Sequence, residues 1–315
     1  MIPEADNMRI VYMGTPDFAV EPLRALVENG YDVVGVFTQP DKPVGRKGVL
    51  TAPPVKVLAE QYGIRVFQPQ TLKNGIGAEA VKALSPDAVI VVAYGKILPS
   101  DLLSVPKYGC INIHGSVLPA YRGAAPIQRC VLNGEKVTGV TAMQMDEGLD
   151  TGDILLCEKT EIGENETSGE LFDRLKTIGA GLLIKTLEKL QEGTLEPVKQ
   201  DDAQSNYAAM LDKSMSHIDW SLPAAKIHDQ IRGLDPWPVA SAILEGKTLK
   251  LFYSRLSGDS NLAAGTVTAD KDGLRITCGD GKCVVVTQVQ FEGKKRMNAA
   301  DFLRGHKSAE NAVLV

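Results

Sequence analysis

This chain is short of several things, and each shortage excludes a class of function. No apolar run approaches the roughly 18–20 residues that cross a bilayer, so a membrane-spanning helix is not expected. The first residues, Met1-Ile2-Pro3-Glu4-Ala5-Asp6, are acidic and lack the basic-then-apolar plan of a secretory leader, which makes the cytoplasm the expected compartment. The five cysteines, Cys110, Cys130, Cys157, Cys278 and Cys283, are odd in number and scattered, with no C-x-x-C pair. Neither a disulfide framework nor a zinc site follows from them. H-E-x-x-H and H-x-x-x-H are absent, and no metal is expected. G-x-S-x-G is also absent, which leaves Ser116 in His114-Gly115-Ser116 without the setting of a hydrolase nucleophile. The turn Gly14-Thr15-Pro16 is not G-x-G-x-x-G, so dinucleotide binding is not supported.

A surplus of positive charge is missing too. The net charge is −5, against a protein coated in basic surface. From Tyr207 onward, however, 14 Lys and Arg stand against 12 Asp and Glu, a net +2 that leaves −7 for the rest. A polyanionic partner would have to be gripped by local patches.

What is present is an ordinary globular composition, 44% hydrophobic and 23% charged over 315 residues, enough for one large domain or two. Arg9–Met13 reads as a buried strand, the stretch from Pro16 to about Asn29 as a helix stopped by Gly30, and Tyr31–Thr38 as a second strand. Strand, helix, strand in about thirty residues implies a parallel sheet. Asp87–Ala93, Cys110–His114 and Gly139–Met145 read as further strands and Val55–Tyr62 as a helix. The expected class is α/β with a doubly wound, mostly parallel sheet. Thr167-Ser168-Gly169-Glu170 is a capping box, followed by Leu171, Leu175, Ile178, Leu182, Leu183, Leu187 and Leu190 at helical spacing, read as core packing, with Gly193 as the stop. Gln200–Tyr207 is polar and loop-like. Beyond it come a short helix near Ala224–Ile231, the breaker Asp235-Pro236-Trp237-Pro238, and the β-rich runs Lys247–Tyr253, Gly265–Val267, Leu274–Thr277 and Cys283–Val289. Short strands at this spacing predict a small barrel. Two domains, 1–206 and 207–315, are expected.

Gln39–Pro54 (Q-P-D-K-P-V-G-R-K-G-V-L-T-A-P-P) stands apart, since its prolines and glycines argue against regular structure and Lys42, Arg46 and Lys47 make it basic. It reads either as a solvated surface loop or as a phosphate-contacting arm.

Chemistry is concentrated in Cys110–Gln128. Ile111 and Ile113 alternate with Asn112 and His114, so a strand would project amide and imidazole from one face. About thirty residues later Met145–Asp153 offers carboxylates, Asp150 among them. In open α/β sheets ligands bind beyond the carboxyl ends of the strands, which would put the turns after Ala93, His114 and Met145 on one rim. The plain alternatives are a structural histidine and an acidic turn; the latter does not fit an EF-hand. Cys110 precedes Asn112 by two residues and reads as a small buried thiol.

Asn112, His114 and Asp150, together with Ser116-Val117-Leu118-Pro119 and Arg122-Gly123-Ala124-Ala125-Pro126, resemble the signature of the 10-formyltetrahydrofolate-dependent formyltransferases. From Gly14-Thr15-Pro16-Asp17-Phe18 to Trp237-Pro238 and Gly293-Lys294-Lys295, the likeness is to the branch that acts on methionyl-tRNA. It implies a Rossmann-like sheet followed by an OB-like barrel and 10-formyltetrahydrofolate as co-substrate, and it makes initiator methionyl-tRNA the partner of a protein expected to be a monomer. It implies that Asn112 and His114 meet the oxyanion and that Asp150 assists His114 and the proton relay. Ser116, Val117, Leu118 and Pro119, with Val92 and Tyr94, would line the folate pocket. Lys42, Arg46 and Lys47 would enter the tRNA acceptor arm, and Lys294 and Lys295 would contact phosphate. Three other functions remain open: an aminosugar-nucleotide N-formyltransferase, which would not need the basic loop, a module that releases formate, and a non-catalytic nucleic-acid-binding barrel.

Overall fold

The structure, a computed structural model, describes residues 8–45 and 48–315. Contacts group the chain into two units. The first takes the chain up to Gly123, with Gly139–Thr160 and Phe172–Tyr207; the second takes Ala124–Thr138, Glu161–Leu171 and Ala208–Val315.

The first unit is built on a seven-stranded sheet, ordered Ile154–Glu161, Val137–Gln144, Cys110–His114, Ala88–Val92, Arg9–Gly14, Asp32–Phe37, Val66–Phe67. The five strands from Cys110–His114 to Val66–Phe67 run parallel. Ala88–Val92 is a run of β-branched residues capped by one alanine and is buried throughout, as a strand covered on both faces must be. Val137–Gln144 is antiparallel to Cys110–His114, pairing His114 with Thr141 and Ile111 with Gln144. It therefore leaves the sheet beside Cys110, whose carbonyl accepts from Met145 N–H at 2.8 Å. The turn after Met145 thus starts at the opposite end from the carboxyl rim, a correction to the single rim expected from sequence. Strand direction leaves no mark on an alternating pattern.

The helix Ser168–Glu192 opens as its capping box requires: Thr167 N–H and Oγ donate to Glu170 Oε2, both at 2.9 Å, and Glu170 N–H donates to Thr167 Oγ at 3.2 Å. Leu175, Leu182, Leu183 and Leu187 are buried. A side-chain carbon at Gly179 would stand 3.2 Å from Ile113, so this helix lies directly on the strand that carries His114.

Gln39–Pro54 is not irregular. Lys42–Val44 and Val49–Thr51 form a two-stranded hairpin that pairs Lys42 with Thr51 and Val44 with Val49. Proline is tolerated because each strand has a free edge, and Gly45 and Gly48 supply left-handed backbone at φ 72° and 60°. Asp41 anchors its base, accepting from Lys56 Nζ at 2.9 Å and Gln68 Nε2 at 2.7 Å.

In the second unit, Ser241–Leu244, Lys247–Asp259, Lys282–Phe291, Gly273–Thr277 and Val267–Asp270 form an antiparallel sheet in that order. The terminal segment joins its two edges. Val315 and Ile243 exchange backbone hydrogen bonds, while Val267 N–H donates to Ala312 O and Leu314 N–H to Gly265 O, both at 2.9 Å. The sheet is thereby closed into the small OB-like barrel, its interior filled by Leu249, Leu251, Ile276, Val284 and Val286. Ser241–Leu244 and the helix Ala299–Gly305 are elements the sequence reading did not anticipate.

The helix Ala224–Gly233 packs in this unit with three buried ionisable side chains, His228, Asp229 and Arg232. His228 Nε2 donates to Glu164 O at 2.9 Å and Nδ1 accepts from Ser254 Oγ at 2.8 Å, which is the neutral imidazole. Burial, with Arg232 adding to it, holds its pKa below the ordinary 6.5. The unfolded chain therefore takes up a proton that the folded chain refuses. Stability is full above about pH 6.5 and is lost as pH falls from there toward the folded value. The thermal midpoint should fall across that window, and the fall should be shallower in His228→Gln; equal slopes would exclude this origin.

Candidate active site

The site is built in the first unit around the end of Cys110–His114. Val91 pairs with Asn112 on one side and Met143 on the other, so the backbone that aims both polar side chains is fixed by neighbours. Asn112 is 9% exposed, and no hydrogen bond to its amide is found among the described residues. Two positions on, on the same face, the His114 ring is fixed at one end and faces a carboxylate at the other: Nε2 donates to Tyr121 O at 3.0 Å, and Nδ1 lies 3.6 Å from Asp150 Oδ2. That second separation is too long for a closed hydrogen bond. Asp150 is brought there by the loop that follows Met145, which starts beside Cys110 and returns to His114. Its Oδ2 accepts from Gly123 N–H at 2.8 Å, and its backbone is left-handed at φ 54°.

Ser116 is fully buried and its hydroxyl is spent on Ala120 O at 2.7 Å. Thr141 braces the same turn, donating to Ser116 O at 2.7 Å and accepting from Leu118 N–H at 3.1 Å. Val117 and Pro119 are half-buried and Leu118 is buried. Val92 is wholly buried, and the Tyr94 ring points into the hydrophobic core, where burial pushes its hydroxyl up to about 12 and leaves it without a partner among the described residues. What this turn offers a ligand is backbone, held by Thr15 Oγ and Gln39 Nε2, which donate to Tyr94 O at 2.9 and 3.1 Å. Cys110 is buried, with its thiol pushed up to about 12 by desolvation, and is no nucleophile.

Among the basic residues, Lys42 is exposed on the hairpin, while Arg46 and Lys47 lie outside the described residues. Lys294 and Lys295 are exposed in the turn after Phe291. Arg296, next in line, is packed, its guanidinium 3.9 Å from the Phe252 ring and donating to Gln288 at 2.7 Å. Among the described residues no three of His, Cys, Asp and Glu gather as a metal set, and no helix is long and apolar enough to cross a membrane.

Three residues that the sequence reading passed over hold the site together. Asn206 accepts from Tyr121 N–H, and its own carbonyl accepts from Arg122 N–H at 3.0 Å. Gln200 bonds to the turn that carries Asp150, and Thr141 to the turn after His114. All three act across 23 to 85 residues, and no local pattern marks them.

Residues 8–187 match the family model described as formyl transferase, and residues 210–307 the one described as formyl transferase, C-terminal domain. The chain is 49% identical over 308 residues to the methionyl-tRNA formyltransferase of Citrifermentans bemidjiense, over 98% of this chain and 96% of that one. It is 48% identical over 314 residues to the methionyl-tRNA formyltransferase of Lachnospira eligens, over 98% and 99%. Among solved structures, the N-formyltransferase from Helicobacter canadensis, in complex with folinic acid and dTDP-3-aminofucose, superposes with a TM-score of 0.68 at 22% identity, over 89% of this chain and 98% of that one, which is a likeness of fold. Two family models in succession and relatives near half identity along almost the whole length make this chain a member of the formyl transferase family.

Proposed function

We propose that this chain transfers the formyl group of 10-formyltetrahydrofolate to the free amino group of methionyl-initiator tRNA, the step that prepares the initiator for translation. The observation that carries the reading is the identity of 49% to a methionyl-tRNA formyltransferase over 98% of the chain. The geometry supplies the chemistry. As the neutral amine attacks, the formyl oxygen becomes negative, and the unpartnered Asn112 amide is a buried donor available to it. His114 has committed Nε2 to Tyr121, so Nδ1 is the atom that acts. A proton at Nδ1 is attracted by Asp150 at 3.6 Å without being locked by a hydrogen bond, and stays free to meet the oxyanion. The amine gives up its proton by way of Asp150 and His114 as the tetrahedral intermediate collapses. The carbon–nitrogen bond to the folate breaks, and the departing nitrogen takes a proton.

In this reading the Ser116–Pro119 turn and the backbone around Val92 and Tyr94 seat the folate. Lys42, Arg46 and Lys47, with Lys294 and Lys295, meet tRNA phosphates, and residues 207–315 serve as the tRNA-binding domain of a cytoplasmic monomer. The test supplies 10-formyltetrahydrofolate with either methionyl-initiator tRNA or an aminosugar nucleotide, and runs Arg46→Ala beside the parent. Transfer to the tRNA is expected, with KM for tRNA raised about tenfold in the variant and kcat little changed. Transfer only to the sugar would overturn the acceptor and leave the Asn112, His114 and Asp150 roles standing.

A further inference from the structure

We infer that Gln200 is a positioning residue for the reaction, holding the Asp150 carboxylate against His114. Its carboxamide nitrogen donates to two backbone carbonyls of one turn, Asp150 O at 2.9 Å and Gly152 O at 2.7 Å. Two peptide dipoles converging on one point repel unless a donor stands between them, and here a single NH2 group serves both. The turn is otherwise costly, because Asp150 is a non-glycine residue at φ 54°. Gly152 leaves it no slack, since a side-chain carbon there would come within 1.7 Å of Gln144 O.

The direction of the amide is set by charge. Gln200 Oε1 accepts from Arg122 Nε at 3.1 Å and from the neighbouring terminal nitrogen at 2.8 Å, which fixes the oxygen toward the guanidinium and the nitrogen toward Asp150 and Gly152. Arg122 is itself 11% exposed and pairs at 2.8 Å with Asp202, two residues beyond Gln200. Its neighbour Gly123 donates the hydrogen bond that orients the Asp150 carboxylate. One arginine therefore stands between the residue that holds the backbone of Asp150 and the one that holds its side chain. The same short segment, 200–206, ends at Asn206 on Tyr121, whose carbonyl holds the other end of the His114 ring. Loss of Gln200 would free the Asp150 turn while leaving Asn112, His114 and the substrate surfaces in place. Displacements of about an ångström at a catalytic group cost up to about 10²-fold in rate.

This rests on Asp150 acting in catalysis, and the experiment separates the two. Turnover is measured for Gln200→Ala, Gln200→Glu, Asp150→Asn and the Gln200→Ala/Asp150→Asn double variant, with thermal melts to confirm that each is folded. Gln200→Ala should lower kcat about 10- to 100-fold with KM for both substrates within about twofold. Gln200→Glu keeps the size and the Arg122 contact but donates nothing when ionised, and it should be at least as slow. In the Asp150→Asn background the alanine change should cost little more, because both act through one group. Near-normal turnover of Gln200→Glu, or a fully multiplicative loss in the double variant, would overturn the inference and leave Asp150 in its role. Near-normal turnover of Asp150→Asn alone would remove the role of Asp150, and this inference with it.

Discussion

Asn112→Ala is expected to lower turnover about 10²- to 10³-fold while leaving the protein about as stable as before. The two halves of that expectation come from the same observation. Asn112 sits in the middle of the sheet with its backbone paired on both sides, so the strand does not depend on the side chain. The residue is 9% exposed, and its amide meets no partner among the described residues. Its amide atoms keep some contact with solvent and make no hydrogen bond that alanine would break, so the substitution strands no partner and costs the fold little. On the proposed mechanism the loss is of a donor to the developing oxyanion, and such a donor contributes only in the transition state. Kinetics should therefore show a fall in kcat with little change in KM, and thermal denaturation an essentially unchanged midpoint. A folded variant with near-normal kcat and a lowered midpoint would show that Asn112 is structural.

The strand that carries Asn112 is also the element most legible in the sequence. Cys110–His114 was bounded correctly because period-two alternation lies between Gly109 and Gly115. The capping box at Thr167 and the leucine stripe behind it placed the long helix for the same reason, that all the information lies within a few turns of chain. The hairpin at Lys42–Thr51 was misread because prolines count against a strand interior, whereas a two-stranded ribbon has only edges. The route by which Asp150 reaches His114 was misread because a strand looks the same parallel or antiparallel. Gln200, Asn206 and Thr141 were passed over because one hydrogen bond across many residues has no periodicity to detect. Arg296, next after Lys294 and Lys295, stands over Phe252 with its guanidinium 3.9 Å from the ring centre; its charge is legible in the sequence and that packing is not.

The largest stability effect is expected at Asp229 in the second unit. Arg232 is among the largest fully buried side chains, at 1% exposed, and its charge is met by Asp229 Oδ1, at 2.9 Å from Nε and 2.7 Å from a terminal nitrogen. A further nitrogen donates to Glu166 O at 3.2 Å. The other oxygen of Asp229 packs against Gly134, where a side-chain carbon would come within 2.5 Å of it, so the carboxylate fills space that the glycine leaves open. Asp229→Ala leaves a guanidinium in the interior with one carbonyl for company. Breaking a buried pair from one side costs about 3–5 kcal/mol, because the remaining charge has no counter-ion and no access to water. Replacing both partners by apolar groups is far milder, so Asp229→Ala/Arg232→Met should recover most of the loss even though it removes more interactions. The measurement is unfolding in urea followed by tryptophan fluorescence, since both tryptophans of the chain, Trp220 and Trp237, lie in this unit. A single variant within about 1 kcal/mol of the parent, or a double variant as damaged as the single, would show that the Arg232 charge is not held by Asp229.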